Sequence, residues 1–134
     1  MNKKELSERD ICTKYITPAI KQAGWDIFRE EYSFTNGKII IKGDKIVRGE
    51  RKRADYILFY KPNIPIAIIE AKDNKHSIGS GLQQGIEYGE ILDIPFVFSS
   101  NGDGFILHDR TGQLEEIEKE LPIDGFPSPI ELWN

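Results

Sequence analysis

Apolar residues recur at helical spacing early in the chain and at strand spacing later, and that change of period outlines the fold. Ser7-Glu8-Arg9-Asp10 reads as a helix start, with Ser7 capping and Asp10 answering three residues on. Ile11, Tyr15, Ala19, Ile20 and Ala23 then line one helical face. Thr17-Pro18 interrupts it, so either the helix kinks there or Thr17 caps a second helix with Pro18 at its first position. Gly24 is a natural stop, and Trp25 begins the return to the core. A strand is predicted over 25–32 and a tight turn at Asn36-Gly37. Lys38-Ile39-Ile40-Ile41 and Lys45-Ile46-Val47 read as short strands or a hairpin around Gly43-Asp44.

Two apolar runs follow, 54–60 and 65–72, parted by the turn signal Lys61-Pro62-Asn63. The second is apolar on both faces up to Glu70, as a central strand covered by helices on each side requires. Residues 78–92 turn helical, with Leu82, Ile86, Tyr88 and Ile91 as the larger apolar side chains and Gly79 and Gly81 weakening the first turn. Residues 95–100 and 105–108 are strands joined by Asn101-Gly102-Asp103-Gly104, and 109–112 closes that piece. The order predicts an α/β sheet with helices packed on it. The segment 126–134 carries two prolines and then starts a helix, reading as the continuation of the chain toward something further.

Composition narrows the class. At 134 residues, 39% hydrophobic and 30% charged, the chain fits one domain with a real core. It has no apolar run near the roughly 18 residues a membrane span needs, and no secretion signal, which points to the cytoplasm. A single cysteine, Cys12, excludes an internal disulfide and a cysteine zinc cluster. Two histidines, His76 and His108, disfavour a histidine-rich metal site and read as loop and surface residues. Cys12, near the apolar helical face, reads as a small buried side chain, and Trp25, Phe96 and Phe98 read as core. The formal net charge of −4 does not suggest a nucleic-acid binder. Its distribution changes that picture: Lys42, Lys45, Arg48, Arg51, Lys52 and Arg53 form a basic stripe that runs into Asp55, while Glu115, Glu116, Glu118 and Glu120 gather far from it. Such a stripe can attract phosphates in an acidic domain, the alternative being an ordinary solvated loop.

The chemistry lies on the two apolar runs. Asp55 opens the first, and Glu70-Ala71-Lys72 closes the second. Glu70 and Lys72, two apart, share a strand face. Two carboxylates converging from neighbouring strands make an oxygen-rich site suited to Mg²⁺, with a lysine one step beyond, an arrangement for phosphodiester hydrolysis. The alternative is a plain ion pair on an exposed strand, worth about 0–1 kcal/mol. Gln84 and Tyr88, four apart, share a helical face. Their alternative is a surface glutamine beside a core tyrosine.

These residues resemble the PD-(D/E)xK nucleases, with Asp55, Glu70 and Lys72 as the motif and Ala54 where the name has proline. Gln84-x-x-x-Tyr88 is similar to the Q-x-x-x-Y motif of the branch holding RecB-like nucleases and type I restriction motor subunits. The likeness is closest to the N-terminal nuclease domain of the type I restriction enzyme R subunit. It runs through 8–12, Pro18-Ala19-Ile20, Ala23-Gly24-Trp25, 53–56, 65–73 and 95–102.

The resemblance implies a restriction-endonuclease-like mixed β-sheet flanked by helices. It assigns residues 1–125 to the nuclease and 126–134 to the start of a linker toward a helicase-like motor. No G-x-x-x-x-G-K-[ST] loop occurs here, so ATP would belong to that motor beyond Asn134. It further implies Mg²⁺, replaceable by Mn²⁺, on Asp55, Glu70 and the Ala71 carbonyl. Glu8 is a candidate further acid, or else a helix-dipole acid. Lys72 would position water or stabilise the pentacovalent state, and Gln84 and Tyr88 would orient Lys72 or substrate. Asp73 reads as serving the loop. Double-stranded DNA would be cut without sequence readout, with modification and specificity subunits as partners. Competing expectations are a non-catalytic module docking DNA or a subunit, and a RecB-like repair nuclease.

Overall fold

The computed structural model describes residues 2–35, 39–42, 45–48, 51–112 and 117–133. The Asn36-Gly37 and Gly43-Asp44 turns, Glu115 and Glu116, and the side chains of Lys42, Lys45, Arg48 and Arg51 lie outside the described residues. After a 3-10 turn at Lys3–Glu5, the chain enters α1 (Glu8–Ile11), a π-helical turn (Cys12–Ile16) and α2 (Thr17–Gln22). The expected cap is reciprocal: Asp10 N–H donates to Ser7 Oγ (3.1 Å) and Ser7 N–H donates to Asp10 Oδ2 (3.2 Å). Pro18 has no N–H for the carbonyl four back, and its ring crowds that carbonyl. The chain answers with the wider π turn, in which Thr17 N–H reaches Cys12 O, so the helical path continues past Pro18.

Trp25 stays tied to the helix end through Trp25 N–H to Ile20 O (3.1 Å). Its strand therefore starts later than the sequence suggests, as β1 (Phe28–Thr35). The remaining elements are β2 (Ile39–Lys42), β3 (Lys45–Arg48), β4 (Arg51–Lys61), β5 (Ile64–Ala71), α3 (Leu82–Leu92), β6 (Phe96–Ser100), β7 (Gly104–Asp109), β8 (Glu118–Pro122) and α4 (Pro129–Trp133). β8 has no counterpart in the sequence reading. It is an exposed edge strand whose Glu118, Lys119 and Glu120 hide the strand signal and discourage edge pairing.

A six-stranded mixed sheet runs β1-β4-β5-β6-β7-β8, and β2-β3 forms a separate ribbon. Neighbours are antiparallel except β5 and β6, whose parallel pairing requires a crossover, supplied by α3. One face, with Tyr56, Leu58, Ile69, Phe98 and Phe105, buries Ile11, Ile16 and Ile20 of the N-terminal helices. Phe126 and Leu132 bury in the same cluster, and Trp25 Nε1–H donates to Pro127 O (2.8 Å). The other face, with Ile57, Ile68 and Val97, takes Leu82 and Tyr88 of α3. Among the described residues no helix is long and apolar enough to cross a membrane.

α3 lies unusually close to the sheet because its inner face carries glycine. A Cβ at Gly85 would sit 2.7 Å from Val97 Cγ1 and 3.4 Å from Glu70 Cγ, and one at Gly89 would sit 2.9 Å from Val97 Cγ2. Each glycine costs a helix roughly 1 kcal/mol against alanine, so the approach must return more than that. Gly85→Ala is therefore expected to lower stability, with overpacking of about 1–3 kcal/mol outweighing the gain in propensity. Exposed Gln83→Ala should stay within about 0.5 kcal/mol of the parent. Urea midpoints check this; a raised midpoint for Gly85→Ala would mean the helix has room to stand off the sheet.

Candidate active site

β1 and β4 change face together at one rung. Phe28 pairs with Leu58, and both pack on the side of α1 and α2. Further along, Tyr32 pairs with Ala54 and Phe34 with Lys52, and Tyr32, Ala54 and Phe34 pack on the α3 side. Residues an even number apart in a regular strand share a face, so the alternation slips between these pairs. Glu31 marks the place, with a left-handed φ of +52° that costs a non-glycine residue about 1–3 kcal/mol. Asp55 stands opposite, between Ala54 and Tyr56.

At the same place β4 and β5 part company, their paired register ending at Tyr56 and Ile69. The two acids fill the gap by exchanging side chain for backbone. Asp55 N–H donates to Glu70 Oε2 (2.9 Å), and Ala71 N–H donates to Asp55 Oδ2 (2.8 Å). Glu70 is 2% exposed. Burial first, and Asp55 second, push its carboxyl up to about 9, against a smaller opposing effect of the Asp55 N–H.

Lys72 follows immediately, half-buried, its backbone N–H fixed to Ser100 O (2.9 Å). Glu8 approaches from the start of α1; desolvation and then Asp55 raise its pKa, while Lys72 and Arg53 lower it. Gln84 Nε2–H donates to Tyr88 Oη (2.8 Å), and burial and then Glu70 raise the Tyr88 pKa. Phe34 packs edge-on to the Tyr88 ring at 5.1 Å. Asp55 thus stands within electrostatic reach of Glu70, Glu8 and Tyr88, Glu8 also feels Lys72, and Gln84 is bonded to the tyrosine. Beside Asp55 opens a pocket of about 150 Å³ lined by Glu8, Arg9, Cys12, Glu31, Arg53 and Asp55.

Other residues singled out from the sequence fall outside this group. Lys52 turns toward α3, its Nζ 3.6 Å from Glu87 Oε1 and 5.9 Å from the Tyr88 ring centroid, whereas Arg53 lines the pocket. Asp73 serves its loop, accepting from Lys75 N–H (3.0 Å) and contacting His76 Nδ1 (2.9 Å). His108 pairs with Glu118 on the edge strand. Cys12 is buried, and burial pushes its thiol up to about 11, well away from a nucleophile.

Sequence reasoning missed Ser99, which is paired with Glu70 across β5 and β6. Its Oγ accepts from Gly81 N–H (3.0 Å) and donates to Ile78 O (2.7 Å), anchoring the entry to α3 over Glu70. Gly81 is shaped to the same spot, since a Cβ there would lie 3.2 Å from Glu70 Cβ and from Ser99 Oγ. Glycines at 81, 85 and 89, repeating every four residues in a helix that glycine disfavours, were the available signal.

Among the described residues, no group of three or more His, Cys, Asp or Glu side chains is arranged to hold a metal ion. The side chains of Asp55 and Glu70 are hard oxygen donors of the kind that suits Mg²⁺, which keeps waters and is held through one or two carboxylates. The local arrangement is a pair of acids, a lysine two residues after Glu70, and two arginines lining the adjoining pocket.

Comparison with known proteins identifies the family. Residues 40–116 match the family described as type I restriction enzyme R protein N terminus. The chain is 52% identical to the type I restriction enzyme EcoAI endonuclease subunit of Escherichia coli, over 100% of this chain and 17% of that protein. A solved fragment assigned as an HsdR subunit of a type I restriction enzyme from Vibrio vulnificus YJ016 superimposes with a TM-score of 0.79 at 42% identity, covering 96% of this chain and 25% of that one. The chain spans about one sixth of the curated relative's length, and it belongs to the family of type I restriction enzyme R protein N-terminal domains.

Proposed function

We propose that this chain is the Mg²⁺-dependent endonuclease domain of a type I restriction R subunit, hydrolysing phosphodiester bonds of double-stranded DNA without reading sequence. The observation that carries the reading is the reciprocal hold of Asp55 and Glu70 on each other's strands, with Lys72 next in line. Two further points support it: the oxygen-only donor set, and a relative named as an endonuclease subunit.

Asp55, Glu70 and the Ala71 carbonyl would hold the cation, with Glu8 as the further acid. When bound, the cation supplies charge neutralisation at the phosphoryl oxygens and acidifies water. Lys72 would stabilise the negative charge that develops on the phosphoryl oxygens. Tyr88, held by Gln84 and packed on by Phe34, would with Gln84 orient Lys72 or the substrate. A helicase-like ATPase motor in the longer chain, and modification and specificity subunits alongside, would choose the DNA and the moment of cutting in the cytoplasm.

Asp55→Asn, Glu70→Gln or Lys72→Ala in the full R subunit, assembled with its partners, is expected to reduce plasmid linearisation by at least ~10²-fold. ATP hydrolysis should stay at the parental rate. Normal cutting by any of the three would exclude the assignment of that residue.

A second expectation follows from Glu70. Its folded pKa of about 9 stands above the ordinary value of 4.5, so between those values the folded chain holds a proton that the unfolded chain has released. The stability that Glu70 contributes in this way is fully present below pH 4.5 and is lost as pH rises toward 9. In EDTA the Tm of this chain should fall across that window by on the order of 5 °C, and Glu70→Gln should flatten the slope. Millimolar Mg²⁺ should raise the Tm most at the alkaline end, where Glu70 loses its proton. Parallel profiles for Glu70→Gln and the parent would refute the shifted carboxyl.

A further inference from the structure

Arg9 was not singled out by any motif, yet it reaches the same pocket as Asp55 and Arg53. Each guanidinium arrives from a different element, Arg9 from α1 and Arg53 from β4. Arg9 Nη2 lies 3.4 Å from Glu30 Oε1, and that oxygen also accepts from Thr17 Oγ1 (3.4 Å). A guanidinium has five N–H donors, so one contact with Glu30 aims the fork without exhausting it. Arg53 is exposed at the pocket wall, whereas its neighbour Lys52 faces α3 and Glu87. Two planar forks converging on a pocket of about 150 Å³ match the nonbridging oxygens of a phosphodiester.

The charges around that pocket impose an order of events. Glu8, Glu31 and Asp55 set three carboxylates against the guanidinium groups of Arg9 and Arg53, a balance that repels an anion. A divalent cation held by Asp55 reverses the sign. We propose that Arg9 and Arg53 form a guanidinium clamp for a DNA backbone phosphate beside Asp55, and that the clamp engages only after the cation is in place. This rests on the endonuclease reading above, and it adds the residues that would hold substrate and the sequence in which they act.

The test is equilibrium binding of a short labelled duplex to the full R subunit in Ca²⁺ and in EDTA, across a salt series. Arg9→Gln and Arg53→Gln should each weaken the Ca²⁺-dependent binding about tenfold and reduce the log–log salt slope by about 0.9, one phosphate contact each. Binding in EDTA should be unchanged. Arg53→Lys should keep the slope and lose part of the affinity, because the charge remains and the fork does not. Both side chains are exposed, so the Tm of each variant should stay within about 2 °C of the parent.

Arginine variants that bind like the parent in Ca²⁺, while Asp55→Asn loses the Ca²⁺ enhancement, would overturn the clamp and leave the nuclease reading standing. An equal loss in Ca²⁺ and in EDTA would overturn the dependence on the cation. Asp55→Asn that retains both the Ca²⁺ enhancement and cleavage would remove the nuclease reading, and the clamp with it.

Discussion

Two carboxylates held against each other where β4 and β5 separate are the constraint around which this molecule is arranged. Burying an ionised carboxylate costs several kcal/mol, and a second one alongside makes it worse. A hydrogen bond to a charged group returns about 1.5–3 kcal/mol, so the single Asp55 N–H on Glu70 Oε2 cannot offset the whole penalty. Glu70 responds by holding its proton to about pH 9. The fold therefore contains a local electrostatic deficit, and it tolerates that deficit because the surrounding core is large: Tyr56, Leu58, Ile68, Ile69 and Val97 are all essentially inaccessible to solvent.

Everything near the two acids serves to fix them. Tyr56, the residue after Asp55, bonds through its hydroxyl to Thr17 Oγ1 (2.7 Å) and donates to Cys12 O (3.2 Å). That carbonyl belongs to the π turn which Pro18 makes necessary. One proline thus shapes the turn that ties α1 to β4 and sets Glu8 and Arg9 beside Asp55. On the other face, Gly81 and Gly85 let α3 press on Glu70 itself, and Ser99 pins the start of that helix. The strain at Glu31 belongs to the same economy of placement, since the face switch at its rung sits opposite Asp55, where the pairing of β4 with β5 ends.

How much of this could be read from residues alone depends on the range of the interaction. Capping at Ser7, the turn at Pro62-Asn63 and the apolar run ending in Glu70 are local signals, and the structure follows them. So does the convergence of Asp55 with Glu70, because adjacent strands joined by a short turn leave little choice of register. The switch of face at Glu31 was hidden, since β1 keeps a regular alternation of half-buried and exposed positions while moving from one cluster to the other. β8 was hidden by its charge. Within the basic stripe, alternation along β4 sends Lys52 and Arg53 to opposite sides, Lys52 toward Glu87 and Arg53 to the pocket. Glycine at every fourth position of α3 was visible and unused; it reports a helix that must approach a sheet closely, and the side chain under it is Glu70.

The overall acidity of the chain takes on meaning in this light. A domain with net charge −4 is repelled by DNA at long range, and salt only shortens the distance over which that repulsion acts. On the endonuclease reading, attraction is confined to a few ångströms around Asp55 and appears only when a cation offsets the carboxylates. Affinity must then come from elsewhere in an assembly whose related subunit is about six times longer than this chain. On that reading, a domain so built would hold DNA only where other parts of the assembly deliver it, and that separation of delivery from hydrolysis would protect DNA that has not been selected. On the same reading, the buried acid pair that burdens the fold would also make the site depend on a cation, and the cost in stability and the restraint on cutting would then have one origin.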